Sequence, residues 1–590
     1  MSDGTPQDDA MCERARRARD RRFDGRFYVG VLTTGIYCRP ICPARHARRE
    51  NVRFFASAAA ARSAGLRPCL RCRPEASPGA PAARGTEATV TRALRLIESG
   101  ALSDDGIDAL AARLGVGARH LSRLFIRHLG ASPIRVAQTH RLHLAVQLLR
   151  ETELPVAQVA AAAGFGSVRR MNELVRATYD RPPSALRSSW RGTRGSGLTL
   201  TQSYRPPLAW DALCDHLATR AIAGVEHVAD GVYRRTVCVD GRTGWIELGP
   251  AAGSQLPLRV ELPGVTGLAD VVARARTLLD LDADPASIDS ALAQDPALAG
   301  MVAHHPGLRV PGTWDPFELS VRAVLGQAIS VVAARTLASR LVARLGSLIA
   351  RGTAPDGLSH VFPSPAVLAE ADLTSIGVTA HRAAALRGLA RLAADGHLAA
   401  ALSRGIDDVV AALTAIPGVG PWTAQYIALR SGRHPDAFPH ADLGLLRGAE
   451  IRLARPERSL TAPALLALAE RWRPWRGYAA MHLWRAYADR GGRGRAARTT
   501  APAGVGARSG DERALLRTRA PGATAASAPR TTLHPRTPET DATPRSARRT
   551  RARARTGRGQ RLPARASDRP LPHAARRDHG RPRGARATRL

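Results

Sequence analysis

The stretch "LTAIPGVGPWTAQYIALRSGRHPDAFPHADLGLLRG", Leu413–Gly448, decides how the larger part of this 590-residue chain folds. An apolar helical pattern ends at Pro417 and Gly418, a second glycine follows at Gly420, and a new helical pattern starts at Pro421. That order reads as helix, tight hairpin, helix. The two hairpin glycines let backbone N–H groups and the start of the second helix approach a phosphate closely. A Pro-Gly turn between helices is common, so the hairpin alone is modest evidence. Asp442, twenty residues beyond Trp422 and after a short loop, adds a carboxylate to the same unit. Trp422 and Tyr426, four residues apart, lie on one face of the second helix.

Working outward, the chain carries a formal charge of +37 and a pI near 11.5, which points to a polyanionic partner, most simply nucleic acid. Residues 491–590 hold 25 Arg against 6 Asp and Glu, so +19 of that charge sits in the last hundred residues and the remainder is still basic. All 87 basic residues are arginine. Of seven cysteines, Cys38, Cys42, Cys69 and Cys72 cluster at metal-ligand spacing, while Cys12, Cys214 and Cys238 are scattered. This is metal usage rather than a disulfide framework and suits a reducing compartment. The N-terminus has no apolar signal region and no run is long enough to span a bilayer, so a soluble bacterial cytoplasmic, nucleoid-associated protein with no membrane partner is expected.

Composition divides the chain into five segments. Residues 1–78 hold the clustered cysteines and end in a Pro/Ala/Gly linker. Residues 84–188 are helical in pattern. Residues 198–304 mix strand-like alternation, as in "GVYRRTVCVDGRTGWIELG", with amphipathic helices. Residues 305–488 read as nearly all helix, and 489–590 as a disordered Arg-rich tail with no periodicity. The fold class expected is multidomain and mainly α, with a small α/β cysteine domain, a tandem helix-turn-helix domain, an α+β domain, an all-α domain and the tail.

The helical second segment repeats itself. "IDALAARLGVGARHLSRLFIRHLGASP" (Ile107–Pro133) is echoed about 50 residues on by "VAQVAAAAGFGSVRRMNELVRATYDRPP" (Val156–Pro183). In each copy a short helix ends near a glycine, Gly115 or Gly164, then a hydrophobic plug, Val116 or Phe165, precedes a second helix. This is helix-turn-helix grammar, with the second helix presented to a DNA major groove. The candidates to reach DNA are Arg119, His120 and Arg123 in the first copy, and Arg169, Arg170 and Asn172 in the second. The cysteine pattern, Cys38-x3-Cys42 and Cys69-x2-Cys72, suits one Zn2+ with four cysteine ligands. Spacing alone leaves open whether that site is only structural.

Three resemblances extend this reading. "AAAAGFGSVRRMN" followed by "RPPSALR" resembles the DNA-binding domain of AraC-type regulators. "RFYVGVLTTGIYCRPICPARHARRENVRFFASAAAARSAGLRPCLRCRPE" (Arg26–Glu75) resembles the zinc domain of Ada-type adaptive-response proteins, in which the first cysteine accepts a methyl group from a methyl phosphotriester in DNA. The resemblance gives that role to Cys38 and makes Thr34, Arg45 and Arg67 the phosphate-facing candidates. Four thiolates on Zn2+ carry a formal −2, and methylating one leaves −1, so attraction to DNA rises. The Pro-Cys-His-Arg signature of the Ada guanine-repair domain has no counterpart in this chain.

The hairpin and Asp442 are similar to the helix-hairpin-helix superfamily of DNA base glycosylases. "YRPPLAWDALCDHLATRAIAGVEHV" (Tyr204–Val228), "PGTWDPFELSVRAVLGQAISVVAARTL" (Pro311–Leu337) and "ERWRPWRGYAAMHLWRAY" (Glu470–Tyr487) resemble alkylation-repair glycosylases of the AlkA type over about residues 198–488. The resemblance implies Asp442 as catalytic carboxylate and Trp422, Tyr426 and Trp484 as aromatic walls of a base pocket. His216 stands where an aromatic lid is expected. The DNA wedge after "LGQ" falls on Ala328, with Gln327 and Ile329 beside it. Trp422 occupies the place of the lysine used by strand-cutting relatives, and the chain has no lysine, so a monofunctional glycosylase is implied. No cysteine-rich loop follows Asp442, so no iron–sulfur cluster is expected. The whole implies a methyl-phosphotriester-sensing transcriptional activator fused to a 3-methyladenine-type glycosylase. Its partners are double-stranded DNA, alkylated and promoter, and, for an activator, RNA polymerase. Two narrower readings stay open on sequence: a regulator whose glycosylase module binds without catalysis, and a glycosylase with a purely structural zinc clamp.

Overall fold

In the computed structural model the described residues are 9–78, 85–102, 106–188, 198–350, 352–454, 456 and 458–499. The cysteine segment is built on a four-stranded sheet of order β3-β1-β2-β4. Its central strand β1 (Tyr28–Val31) pairs antiparallel with β2 (Ile36–Cys38) and β3 (Val52–Phe55), and β2 pairs parallel with β4 (Arg67–Pro68). Aromatic residues Phe27, Tyr37, Phe54 and Phe55 fill the small core. The helix Asp9–Ala18 caps it by burying Cys12 and Ala15 beside Phe54 and Val52.

The two helix-turn-helix copies form as the repeat predicts. Gly106–Arg113 and Ala118–Leu129 flank a turn at Gly115, and Val156–Ala162 and Val168–Tyr179 flank one at Gly164. Both turn glycines adopt positive φ, +70° and +75°, a conformation that costs a side-chain-bearing residue energy. Each second helix buries one stripe at helical spacing, Leu121, Leu124 and Phe125 in the first copy and Met171, Val175 and Tyr179 in the second. The long helix Pro133–Glu151 joins the copies. It starts on a Ser132 cap, whose hydroxyl accepts from Arg135 N–H, with proline in the first turn.

Residues 198–261 form an antiparallel sheet of order β5-β9-β8-β7-β6, from β5 (Leu198–Ser203), β6 (Glu226–Ala229), β7 (Val232–Val239), β8 (Arg242–Leu248) and β9 (Gln255–Glu261). Strict alternation along β9 turns Leu256, Leu258 and Val260 inward and the intervening residues out. The same hydrophobic core takes in Leu148 and Leu149 of the joining helix and Met171 and Val175 of the second copy. The second copy and the sheet thus share one interior.

The remaining helices, from Pro285 onward, pack around a separate Ala/Leu-rich core containing Val324, Leu386, Leu413, Ile427 and Leu483. Segment 305–488 is nearly all helix; the exception is a two-stranded ribbon in which Ser347–Leu348 pairs antiparallel with His360–Val361. Such two-residue strands are too short to show a period in sequence. The last helix, Arg476–Thr499, also continues past residue 488, into the segment expected to be disordered. The rest of that segment lies outside the described residues.

Candidate active site, metal centre and DNA-reading helices

Asp442 is placed by the fold at the start of a helix. It caps Leu443–Arg452, with Oδ1 accepting from Leu445 N–H at 3.0 Å. Two indoles then hold the carboxylate from either side. Trp422 Nε1–H donates to Oδ2 at 3.0 Å and Trp484 Nε1–H donates to Oδ1 at 2.7 Å. Each oxygen therefore has a fixed donor, and the rotamer is locked before any substrate arrives.

The aromatic residues of the sequence reading come together here. Trp422 and Tyr426 stack with centroids 5.8 Å apart, and Trp484 meets the Tyr426 ring edge-to-face at 6.1 Å. All three side chains are half-buried, so they retain an accessible face. Arg430 Nη1–H donates to the Tyr426 hydroxyl at 2.5 Å, and its guanidinium lies 5.5 Å from the ring centroid. Burial raises the Tyr426 phenol, but Arg430, Arg220 and Arg322 outweigh it and the net direction is down. His216, on the helix Trp210–Arg220, is half-buried. Burial first, then Arg220, Arg430 and Arg322, push its pKa well below the usual histidine range, and its Nε2 is enclosed without a partner.

The hairpin sits between the helices Ile406–Thr414 and Pro421–Arg430. Gly418 adopts φ +89°, and a Cβ there would come within 3.0 Å of Ala385 and His381. Gly420 caps the second helix with open space around it. Gln327, a DNA-contact candidate, turns its amide nitrogen inward to Gly418 C=O at 3.0 Å and Thr423 Oγ1 at 2.8 Å. Ala328 takes the left-handed conformation, φ +55°, and is followed by exposed Ile329, Val331 and Val332. The apolar edge beside the hairpin is thus Ile329 with the two valines, because Gln327 is committed to the hairpin and Ala328 has only a methyl group.

At the other site the sulfur atoms of Cys38, Cys42, Cys69 and Cys72 all lie within 4.8 Å of one another. A tetrahedral Zn2+ with sulfur at about 2.3 Å puts sulfurs roughly 3.8 Å apart, so the set fits such an ion after small shifts. Crowding among the four sulfurs pushes Cys38 and Cys72 up and draws Cys42, to about 7, and Cys69 down. Four thiolates this close need a cation. Cys69 and Cys72 are buried, whereas Cys38 and Cys42 are half-exposed. Thr34, Arg45 and Arg67 are exposed on the same small segment, and Arg67 lies on β4 just before Cys69.

On the reading helices, Arg119, His120, Arg123, Arg169 and Arg170 are exposed and Asn172 is half-buried. Arg169 also pairs with Glu173 one turn on, at 2.8 Å. A protein from Mycobacterium tuberculosis (strain CDC 1551 / Oshkosh), named "Probable bifunctional transcriptional activator/DNA repair enzyme AlkA", is 44% identical over 483 residues, 80% of this chain and 95% of that protein. The chain belongs to this bifunctional Ada/AlkA family.

Three family descriptions match along this Ada/AlkA protein: "Metal binding domain of Ada" at residues 11–75, "Helix-turn-helix domain" at 110–189 and "AlkA N-terminal domain" at 199–315. The Escherichia coli (strain K12) DNA-3-methyladenine glycosylase 2 is 34% identical over 288 residues, 48% of this chain and 96% of its own. The Escherichia coli (strain K12) bifunctional transcriptional activator/DNA repair enzyme Ada is 46% identical over 116 residues, 20% of this chain and 31% of its own.

Sequence reasoning about this Ada/AlkA chain missed several supporting residues. Arg39, directly after Cys38, forms a buried ion pair with Asp24, and also donates to Cys72 C=O at 3.2 Å and, through its backbone, to Cys72 Sγ at 3.3 Å. Arg430 and Arg220, behind Tyr426, gave no periodic or motif signal. Their partners lie in distant segments: Arg430 bonds the carbonyls of Pro311 and Gly312, and Arg322 reaches Arg220 C=O. Among the described residues no helix is long and apolar enough to cross a membrane.

Proposed function

We propose that this Ada/AlkA protein is a transcriptional activator that senses methyl phosphotriesters through Cys38 and a monofunctional DNA glycosylase that releases alkylated purines such as 3-methyladenine. The observation that carries the enzyme assignment is Asp442, a carboxylate fixed by two indole N–H groups at the mouth of an aromatic cluster.

A base must leave the stack before its glycosidic bond is reached, and the exposed Ile329 edge next to the hairpin supplies an apolar group for the vacated space. The backbone at Gly418 and Gly420 takes the phosphate beside the flipped nucleotide. Trp422, Tyr426 and Trp484 offer their π faces to the flat, electron-poor alkylated base. As the bond from C1′ to the ring nitrogen breaks, both electrons leave with the base, which departs neutral. Positive charge gathers on the sugar, where the Asp442 carboxylate stabilises it electrostatically and orients the water that adds at C1′.

At the second site Cys38, Cys42, Cys69 and Cys72 would hold Zn2+, which keeps its ligands as thiolates at neutral pH. Cys38 Sγ attacks the methyl carbon of the phosphotriester. The S–C bond forms, the C–O bond breaks, and its electron pair stays on the phosphate oxygen to restore a diester. Cys38 and Cys42 are the reachable sulfurs by burial, and the Ada resemblance selects Cys38. Converting one thiolate to a neutral thioether removes one negative charge from a face that carries Arg45 and Arg67. Binding to DNA therefore tightens, and the exposed arginines of both reading helices engage a promoter and recruit RNA polymerase.

The enzyme assignment is tested by incubating purified protein with methylated DNA and measuring free 3-methyladenine. Release by wild type with loss in Asp442→Asn supports it. Equal release by both proteins, or none by either, contradicts it.

A further inference from the structure

The helix Pro133–Glu151 between the two reading motifs is tied along one side to the cysteine segment. Tyr37, fully buried and one residue before Cys38, lies 3.2 Å from His143 Nε2 through its hydroxyl. That single hydrogen bond joins the strand that ends in Cys38 to the middle of the joining helix across 106 residues of chain. The Tyr37 carbonyl also accepts the Cys69 N–H at 2.9 Å, which links it to the second cysteine pair. Arg73, directly after Cys72, pairs with Glu151 at 2.7 Å. Arg62 donates to Thr139 Oγ1 at 2.8 Å on the joining helix and to Thr178 Oγ1 at 3.2 Å on the second reading helix.

These ties favour one motif. β4, the two-residue strand that leads into Cys69, packs directly on the helix Val168–Tyr179. The first reading helix instead meets this segment at its C-terminal end, where Ser57 donates to Leu129 C=O at 2.6 Å, away from the cysteines. The joining helix has an anchorage of its own. Gln147 donates to Thr201 C=O at 2.9 Å, Glu151 accepts Thr201 N–H at 2.9 Å, and Leu142, Leu148 and Leu149 are fully buried.

Strands as short as β2 and β4 hold little stability through their own ladder. β2 ends at Cys38 and β4 one residue before Cys69, so a cation held by the four sulfurs, which lie within 4.8 Å of one another, would tie the ends of both strands together. When those ends loosen, Tyr37 loses its register on the joining helix, and Arg62 and β4 lose theirs on the second reading helix, together, because polar groups at a buried interface are satisfied as a set.

We propose that Tyr37, His143 and Arg62 are positioning residues that join the four-cysteine site and the second reading helix into one ordered unit, so that metal loading sets how firmly Val168–Tyr179 is held for DNA. This rests on the cysteines being a metal site and is independent of whether Cys38 accepts a methyl group.

The test is hydrogen exchange by mass spectrometry on the full chain, Zn2+-loaded and chelator-stripped, without DNA. Stripping is expected to accelerate exchange at least about tenfold in peptides covering 168–179 and to leave 406–430 unchanged. In the loaded double variant Arg62→Ala, His143→Phe, exchange in 168–179 rises towards the stripped value while the visible spectrum of the Co2+-substituted four-thiolate site stays as in wild type. The proposal is overturned if stripping leaves 168–179 unchanged, or if 406–430 accelerates equally, which is general unfolding. It is also overturned if the double variant exchanges like wild type, or if that variant loses its Co2+ spectrum, which makes these residues part of the site's own fold. A protein that takes up no methyl from DNA still yields the same readings, so failure of the sensing reaction is separately visible.

Discussion

The Asp442 site and the cysteine site draw their order from opposite sources. Asp442 is fixed by the fold itself: a helix cap and two indole donors from segments 20 and 42 residues away, set in a large aliphatic core. The cysteine cluster lies at and just beyond the ends of strands of two or three residues beside a small aromatic core, and its four sulfurs, all within 4.8 Å of one another, are gathered as a cation would gather them. One chain thus carries a site that is complete as protein and a site that is complete only with its ligand. The first suits repeated turnover, and the second suits a single irreversible event that changes the state of its surroundings.

Substitutions at the two sites should therefore have different signatures. Asp442→Asn keeps one oxygen for the cap but loses the charge and sets an amide NH2 against one of the two indole donors, so base release should fall by about 100- to 1,000-fold with a thermal midpoint only modestly lowered. A fall of less than tenfold in a single-turnover assay removes Asp442 from the chemistry. Trp484→Phe keeps an aromatic wall but removes one charge-assisted hydrogen bond from the carboxylate, so kcat should drop roughly tenfold with KM nearly constant. A change confined to KM would make Trp484 only a wall of the pocket.

How far sequence reached differs between the sites for the same reason. Cysteine spacing is local, so all four ligands were legible, and so were the hairpin, Asp442 and the repeat that gives the reading helices. The interactions that orient these groups are not local. Nothing in a run of residues indicates that the Trp484 indole bonds Asp442, that Arg430 backs Tyr426, or that Tyr37 meets His143 across 106 residues. The left-handed turn at Ala328 was hidden because alanine does not announce positive φ. The bonds of the Gln327 amide nitrogen to Gly418 and Thr423 join residues about 90 positions apart and leave no mark in the local sequence.

Two smaller effects sharpen the contrast. His216, neutral and with an enclosed, unpartnered Nε2, should give the pocket a polar edge that an aromatic lid lacks. His216→Phe is expected to shift the release ratio of alkylated guanine to 3-methyladenine by up to about tenfold; an unchanged ratio removes His216 from base selection. On the cysteine segment, the Arg16 hydrogen bond holds Glu13 down to about 2. A depressed carboxylate contributes stability that is fully present above its unfolded value near 4.5 and is lost as pH falls towards 2. Near the surface this amounts to about 1 kcal/mol or less. The melting advantage of wild type over Glu13→Gln at pH 6 should shrink steadily from pH 4.5 to pH 2, and an advantage undiminished at pH 2 contradicts the ion-pair assignment.

The most direct test of two independent centres in one chain is 3-methyladenine release from methylated DNA by full-length protein, with and without its metal, in wild type and Asp442→Asn. The account predicts equal single-turnover rates at saturating protein for loaded and stripped wild type, and loss of release in Asp442→Asn whatever the metal content. Release that follows the metal, or that survives Asp442→Asn, would contradict it.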